Sequence, residues 1–328
     1  MVMYWVALLA ISILIYLLLD GFDLGVGMLF GVAGSEAQRD AMLSTVAPVW
    51  DGNETWLIVT GVIMWGSFPL VYAMVLSAFY IPVLVMLLGL ILRGVAFEFR
   101  GKAHRSRWIW DVSFVAGSFA ASFMQGAMVG ALVEGLQFSN GDYTGGTLGW
   151  LTAFSALCGI GLCFGYALLG ACWLNWKTEG ALQERAARHA WRLGWLLLAV
   201  IGLVSLMTLG LEAQYYRRWI TYPGLIATGP VPIATVFVTA MFYRSLAKKQ
   251  EAAPFFWTLG LFGLCIVGLG VSIWPDVIPA RVTIWQAAAP ERSQVFMLIG
   301  AVIMLPIILA YTGWAYWVFR GKVGEGYH

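Results

Sequence analysis

Apolar positions in this chain come in long unbroken blocks, with no alternation between apolar and polar residues. Nine blocks stand out, near residues 4–31, 55–76, 77–99, 110–136, 148–174, 191–213, 225–247, 254–274 and 294–319. Each matches or approaches the roughly 20 residues an α-helix needs to cross a bilayer. The pattern predicts an all-α polytopic membrane protein with nine transmembrane helices. A transmembrane barrel would show short segments of alternating hydrophobicity, which this sequence lacks. The second and third blocks are nearly continuous, and Pro69 and Pro82 flank the tight connection expected between them. The first block is longer than a crossing requires, so that helix must tilt, kink at its glycines or protrude. The polar, Gly-rich stretch 137–147 separates four helices from five. It suggests a single membrane domain with a first four-helix bundle in 1–136 and the remaining five helices in 148–319.

Composition and charge refine this picture. The 328 residues are 61% hydrophobic and 11% charged, with a mean hydropathy of +0.81, which excludes a soluble domain. The charges are confined largely to loops and form no nucleic-acid-binding patch. The N-terminus enters apolar sequence directly, without a basic n-region, so no cleavable signal peptide is expected. Orientation follows from Lys and Arg, which favour the cytoplasmic side. With the N-terminus outside and nine crossings, fourteen of the 19 cations fall in inner loops and the tail, including Arg39, Arg100, Lys102, Arg185, Arg188, Arg192, Arg244, Lys248 and Lys322. Only Arg217, Arg218, Arg281 and Arg292 fall outside, and Arg93 lies within a helix. The asymmetry supports an N-out, C-in arrangement. Cys158, Cys163, Cys172 and Cys265 lie in apolar segments without a CxxC spacing and read as small buried hydrophobes.

Several polar residues sit at membrane depth, where they cost energy and mark function. The stretch DGFDLGVG places Asp20 and Asp23 at i, i+3, on one helix face, beside glycines that let another helix approach closely. Arg93 lies about six residues before the inner end of the third helix, with Glu98 nearer the surface. Asp51, Asn53 and Glu54 open the second helix from the same side, and Asp111 opens the fourth. Glu134 sits near the opposite face. A gathering of acids leading inward, with one cation among them, suits proton uptake. Other readings remain open at this point: Asp51, Glu54 and Asp111 as helix caps or interfacial charges, Glu98 and Arg100 as surface residues, and Arg93 as a structural counter-ion to Asp20 or Asp23. His104, His189 and His328 fall in two loops and the tail, away from membrane helices. Haem or another metal held by this chain would ordinarily need intramembrane histidine, so any redox metal is expected on a partner chain. Trp5, Trp50, Trp56, Trp108, Trp110, Trp274, Trp285 and Trp317 cluster near helix ends and read as an interfacial aromatic belt. The segment from Trp274 to Arg292 reads as an ordered outer loop.

Taken together, the stretches DGFDLGVG (20–27), APVWDGNETWL (47–57), RGVAFEFR (93–100), WDVSFVAGSF (110–119), VTIWQAAAP (282–290) and PIILAYTGWAYW (306–317) resemble subunit II of the cytochrome bd-type quinol oxidases, with wording closest to the cyanide-insensitive branch. The matches keep the family's order over nearly the full chain. The resemblance implies nine helices arranged as two four-helix bundles plus one helix. It implies a heterodimer with a subunit I that carries two b-type haems and a d- or b-type oxygen-reducing haem and oxidises quinol, with no haem held by this chain. A structural quinone and a small single-helix subunit are further implied possibilities, as is residence in the bacterial inner membrane. It assigns Asp20, Asp23, Asp51, Glu54 and Glu98 to a proton path and Arg93 and Asp111 to support of that path and the subunit contact. Val49 and Glu54 depart from some relatives, which carry His and Gln there. The competing expectations are a proton-coupled secondary transporter and a purely structural scaffold subunit.

Overall fold

The structure, a computed structural model, describes residues 1–139 and 142–323; His328 and part of the 137–147 stretch lie outside the described residues. Two helices open the chain, α1 (Val2–Phe30) and α2 (Glu36–Val46). Next come α3 (Trp50–Ser67), α4 (Pro69–Ala78), α5 (Tyr80–Arg100) and α6 (Arg107–Glu134). A two-stranded hairpin, β1 (Phe138–Ser139) with β2 (Asp142–Tyr143), leads to α7 (Ala153–Lys177) and α8 (Gly180–Leu211). Two short helices, α9 (Ala213–Ile220) and α10 (Gly224–Thr228), precede α11 (Pro230–Ala247) and α12 (Ala253–Ile273). A second hairpin, β3 (Asp276–Ile278) with β4 (Val282–Thr283), and the short α13 (Ile284–Ala287) lead to α14 (Glu291–Val318).

Among the described residues, eight helices are long and apolar enough to cross a membrane, and α3 with α4 makes a ninth span when the bent pair is counted as one. This corrects the expected shape of the second span. The apolar block 55–76 is two helices meeting at 119°. The break falls at Phe68, because Pro69 opens α4 at a first-turn position where its missing N–H costs nothing. The other expected turn residue, Pro82, lies inside the first turn of α5. The fifth long helix is also longer than expected. α8 has 32 residues, about 48 Å at 1.5 Å per residue, against a hydrocarbon core of about 30 Å. His189 therefore lies within a helix, half-buried near its start, and not in a loop.

The most enclosed element is α7, which packs against α1, α6 and α8. Its contact with α1 is a backbone-to-backbone approach. A Cβ added at Gly25 would lie 1.8 Å from the Tyr166 carbonyl oxygen, and one at Gly170 would lie 2.4 Å from the carbonyl carbon of Gly25. Only glycine fits on either side. α14 lies at the periphery against α3, with Gln294 its sole buried residue among those described. The cysteine and tryptophan expectations hold in part. Cys163 and Cys172 are buried, but Cys158 is half-buried and Cys265 is exposed on α12. Trp108, Trp285 and Trp317 are exposed, whereas Trp5 and Trp56 are core residues.

A buried carboxylate–arginine cluster as the candidate functional site

The i, i+3 spacing on α1 turns Asp20 and Asp23 inward, and both are completely buried. Arg93 of α5 is also fully buried and makes an ion pair with Asp20. Asp23 accepts a hydrogen bond from Asn53 Nδ2 of α3 at 2.7 Å, and the Asn53 amide oxygen accepts one from Tyr316 of α14 at 2.9 Å. Glu54, half-buried one residue along, lies 3.9 Å from the Arg93 guanidinium. The guanidinium stands over the Trp50 ring at 5.3 Å, and Trp50 stacks on Phe97. Four helices thus contribute to one site.

The cluster is not saturated. Asp20 Oδ2, Asp23 Oδ1, Arg93 Nε and Arg93 Nη1 are buried and find no hydrogen-bond partner among the described residues. Buried polar groups are nearly always paired in stable folds, so open positions on two carboxylates and their counter-ion are a feature to explain. A narrow cleft between α3 and α14, lined by Val49, Gly52, Asn53, Thr312 and Tyr316, reaches Asn53 from the end where Asp51 stands exposed.

Away from Asp51 the polar stripe continues along α1. Tyr16, one turn from Asp20, accepts from Gln125 Nε2 of α6 at 2.7 Å, and Gln125 Oε1 accepts from Tyr166 of α7 at 2.8 Å. A turn further, Ser12 accepts from Thr60 of α3 at 3.0 Å. The bare backbone at Gly21 admits the Tyr166 ring, whose Cε1 would lie 2.6 Å from a Cβ there.

The structure gathers Asp20, Asp23, Glu54 and Arg93 and separates the other three predicted residues. Asp51 is exposed at the rim, one turn from Glu54. Glu98 is exposed and points away from the cluster, because it lies five positions past Arg93, off the buried face of α5. Asp111 belongs to a second cluster centred on Arg100, which is 2% exposed and is not a surface residue. Arg100 pairs with Asp111 at 2.6 Å, with Glu36 at 2.8 Å and with Asp40. Arg93 and Arg100 are seven positions apart and share one helix face, a signal the sequence carried. The helix α2 that supplies Glu36 and Asp40 was not expected. Its N-cap Ser35, which accepts from the Gln38 backbone N–H, was the available signal. Glu134 ends α6 and accepts a hydrogen bond from Thr152. Tyr16, Gln125, Tyr166 and Tyr316 were also missed. Tyr16 alone had a signal, its i−4 spacing from Asp20.

Comparison with known proteins agrees with this architecture. Residues 1–319 match the family model described as cytochrome bd terminal oxidase subunit II. The chain is 30% identical over 339 residues to the cytochrome bd ubiquinol oxidase subunit 2 of Bacillus subtilis (strain 168), covering 98% of this chain and 96% of that one. It is 28% identical over 356 residues to the cytochrome bd-I ubiquinol oxidase subunit 2 of Escherichia coli (strain K12), covering 97% and 94%. A solved structure of bd oxidase from Geobacillus thermodenitrificans has the same fold, with a TM-score of 0.78 at 15% identity over 98% of this chain and 99% of that chain. The apolar helices and these relatives make it a multi-pass protein of the bacterial inner membrane. With a family match over nearly its whole length and the helical architecture that goes with it, the chain belongs to the cytochrome bd terminal oxidase subunit II family.

Proposed function

We propose that this chain supports a haem-bearing subunit I and conducts cytoplasmic protons toward the oxygen-reducing site of a quinol:oxygen oxidoreductase. The observation that carries this reading is the fully buried group Asp20, Asp23 and Arg93 with open hydrogen-bonding positions. A structural ion pair alone would favour full pairing, since a buried charge left partly unsatisfied is expensive. Glu54 and Asn53 lie between this group and exposed Asp51, which supports Asp51 as the entrance, Glu54 as the first internal carboxyl and Asp20 with Asp23 as the relay. Arg93 offsets the charge of the carboxylates. Asp111 serves the Arg100 cluster and acts on the path only by anchoring the same end of α5. Glu98 is kept as a surface carboxylate near the mouth. The cation-rich loops support the N-out, C-in orientation, which puts Asp51 on the cytoplasmic side.

The haems are proposed to reside on the partner, where they would supply electron transfer and oxygen reduction. His104 is exposed, and His189 lies among Arg185, Arg188 and Arg192 at the charged start of α8, surroundings that suit solvent rather than haem ligation. No residue set in this chain is assigned to a quinone, and a small single-helix subunit remains part of the proposed assembly. Family membership removes the support for a transporter. A scaffold role is separated from a relay by experiment. In the intact complex, Asp23→Asn should lower oxygen consumption about tenfold or more, in the range of lost proton-transfer groups, with haem absorbance retained and a changed solvent-isotope effect. Unchanged turnover and isotope effect overturn the relay.

A further inference from the structure

Between α8 and α11 the outer surface is concave. The groove has a volume of about 510 Å³ and is lined by Trp191, Trp195, Leu198, Val236, Thr239 and Tyr243. Its aromatic end is organised: the Tyr243 ring stacks on Trp195 and meets Trp191 edge-on, both at 4.9 Å between centroids. The Tyr243 hydroxyl is seated against bare Gly194, where a Cβ would lie 2.7 Å from it. Tyr243 Oη and Thr239 Oγ1 are both buried without a partner among the described residues. The lining runs about 10 Å along α8 from Trp191 to Leu198, so the groove is an apolar wall that takes the upper part of an acyl chain.

Charge is gathered at one end only. Arg188 lies one turn before Trp191 on the same face of α8, Arg192 follows Trp191, and Arg244 follows Tyr243. Lys248 and Lys249 close α11 at the same end of the antiparallel pair. Against these five cations the described residues set one acid within 4.0 Å, Glu184 at 3.9 Å from Arg188, both largely exposed. A cationic rim above an aromatic collar, opening onto an apolar trough, fits a phosphate-bearing lipid. The phosphate would meet the arginines, the glycerol backbone would rest on the Trp191–Trp195–Tyr243 collar, and the upper part of an acyl chain would lie along Leu198 and Val236. Zwitterionic lipid fits the trough equally but gains less from the rim, because each cation near an anionic headgroup contributes about fivefold in affinity.

We propose that the α8–α11 groove is a binding site for one anionic diacyl phospholipid. The site is separate from the Asp20–Arg93 cluster and does not depend on the proton path. The test is native mass spectrometry and thermal unfolding of the intact detergent-solubilised complex, supplemented with phosphatidylglycerol or phosphatidylcholine. Phosphatidylglycerol should be retained and should raise the unfolding temperature more than phosphatidylcholine does. The double variant Arg192→Gln/Arg244→Gln should lose that preference by roughly twentyfold in affinity. Trp195→Ala should weaken retention of phosphatidylglycerol with the rim intact. Equal retention of the two lipids, a preference that survives the double variant, or release of a quinone in place of phospholipid overturns the proposal. Should the double variant fail to assemble, judged by haem absorbance, Arg188→Gln asks the same question at a more exposed position.

Discussion

Arg100 shows most clearly how one residue can carry a local structure. Its guanidinium is buried against the Phe30 ring at 5.0 Å and faces three carboxylates from α2 and α6. Glu36 and Asp40 are about half exposed, so solvent screens part of each attraction. Removing the cation leaves acids crowded around an empty centre. Arg100→Gln should cost about 1–3 kcal/mol, between the exposed and buried limits, and should release α2. Tryptic cleavage at Arg39 would then accelerate severalfold, and the difference should shrink at high salt. Asp20 and Asp23, by contrast, were legible in the sequence as candidate site residues, because a carboxylate at membrane depth is costly enough to stand out. Arg100 was not legible, because a cation at a helix end usually faces solvent.

Among the elements, the pair α1–α7 decides whether the site exists. Tyr166 reaches the α1 stripe only because the helices touch at Gly25 and Gly170, backbone on backbone. Neither backbone can move aside as a flexible side chain could. Gly25→Ala should destabilise the chain by about 1–3 kcal/mol, the usual range for overpacking, read as a lowered unfolding temperature by circular dichroism in detergent. Gly61, with nothing within 4 Å of an added Cβ, is the matched control, and Gly61→Ala should be near neutral or mildly stabilising. The glycines of DGFDLGVG announced a close approach. Which helix approaches was hidden, since α7 is distant in sequence and carries its own glycines without a polar marker.

Across the whole molecule, the described tail is tied back to the body. Lys177 Nζ donates to the Phe319 and Gly321 carbonyls at 3.0 and 3.3 Å, and the Val323 N–H donates to the Lys177 carbonyl at 2.9 Å. Lys322 donates to Glu251 at 2.7 Å, joining the end of α14 to the α11–α12 turn. The hydrogen bonds from Lys322 and then Gln183 hold the Glu251 carboxyl below its ordinary range, and the bond to Glu251 raises Lys322. A lowered carboxylate contributes above its unfolded pKa and loses that contribution as pH falls through the folded value. A raised lysine contributes below its unfolded pKa and loses it as pH rises through the folded value. The clasp is therefore complete near neutrality and opens in acid as Glu251 protonates. Hydrogen exchange at Val323, referred to the intrinsic rate at each pH, should quicken in acid. It should quicken at neutral pH in Glu251→Gln. Equal protection in wild type and variant would show that the Lys322–Glu251 bond does not hold the tail, leaving it to Lys177 and to the Lys322–Glu179 pair at 3.5 Å.

The sequence by itself determined the membrane class, the spans to within a few residues for most helices, and the carboxylates and arginine of the buried cluster. These follow from local chemistry: long apolar runs have one stable environment, and charges inside them stand out against it. Tertiary structure decided the rest. It folded the second apolar block into two helices at 119°, moved Asp111 into a separate network with Arg100 and α2, and left Glu98 at the surface. It also brought Asn53, Tyr316, Gln125 and Tyr166 to the α1 stripe from four other helices. Such neutral polar residues are common near membrane helices, and what each one does depends on the helix it meets, which spacing within a single helix does not encode.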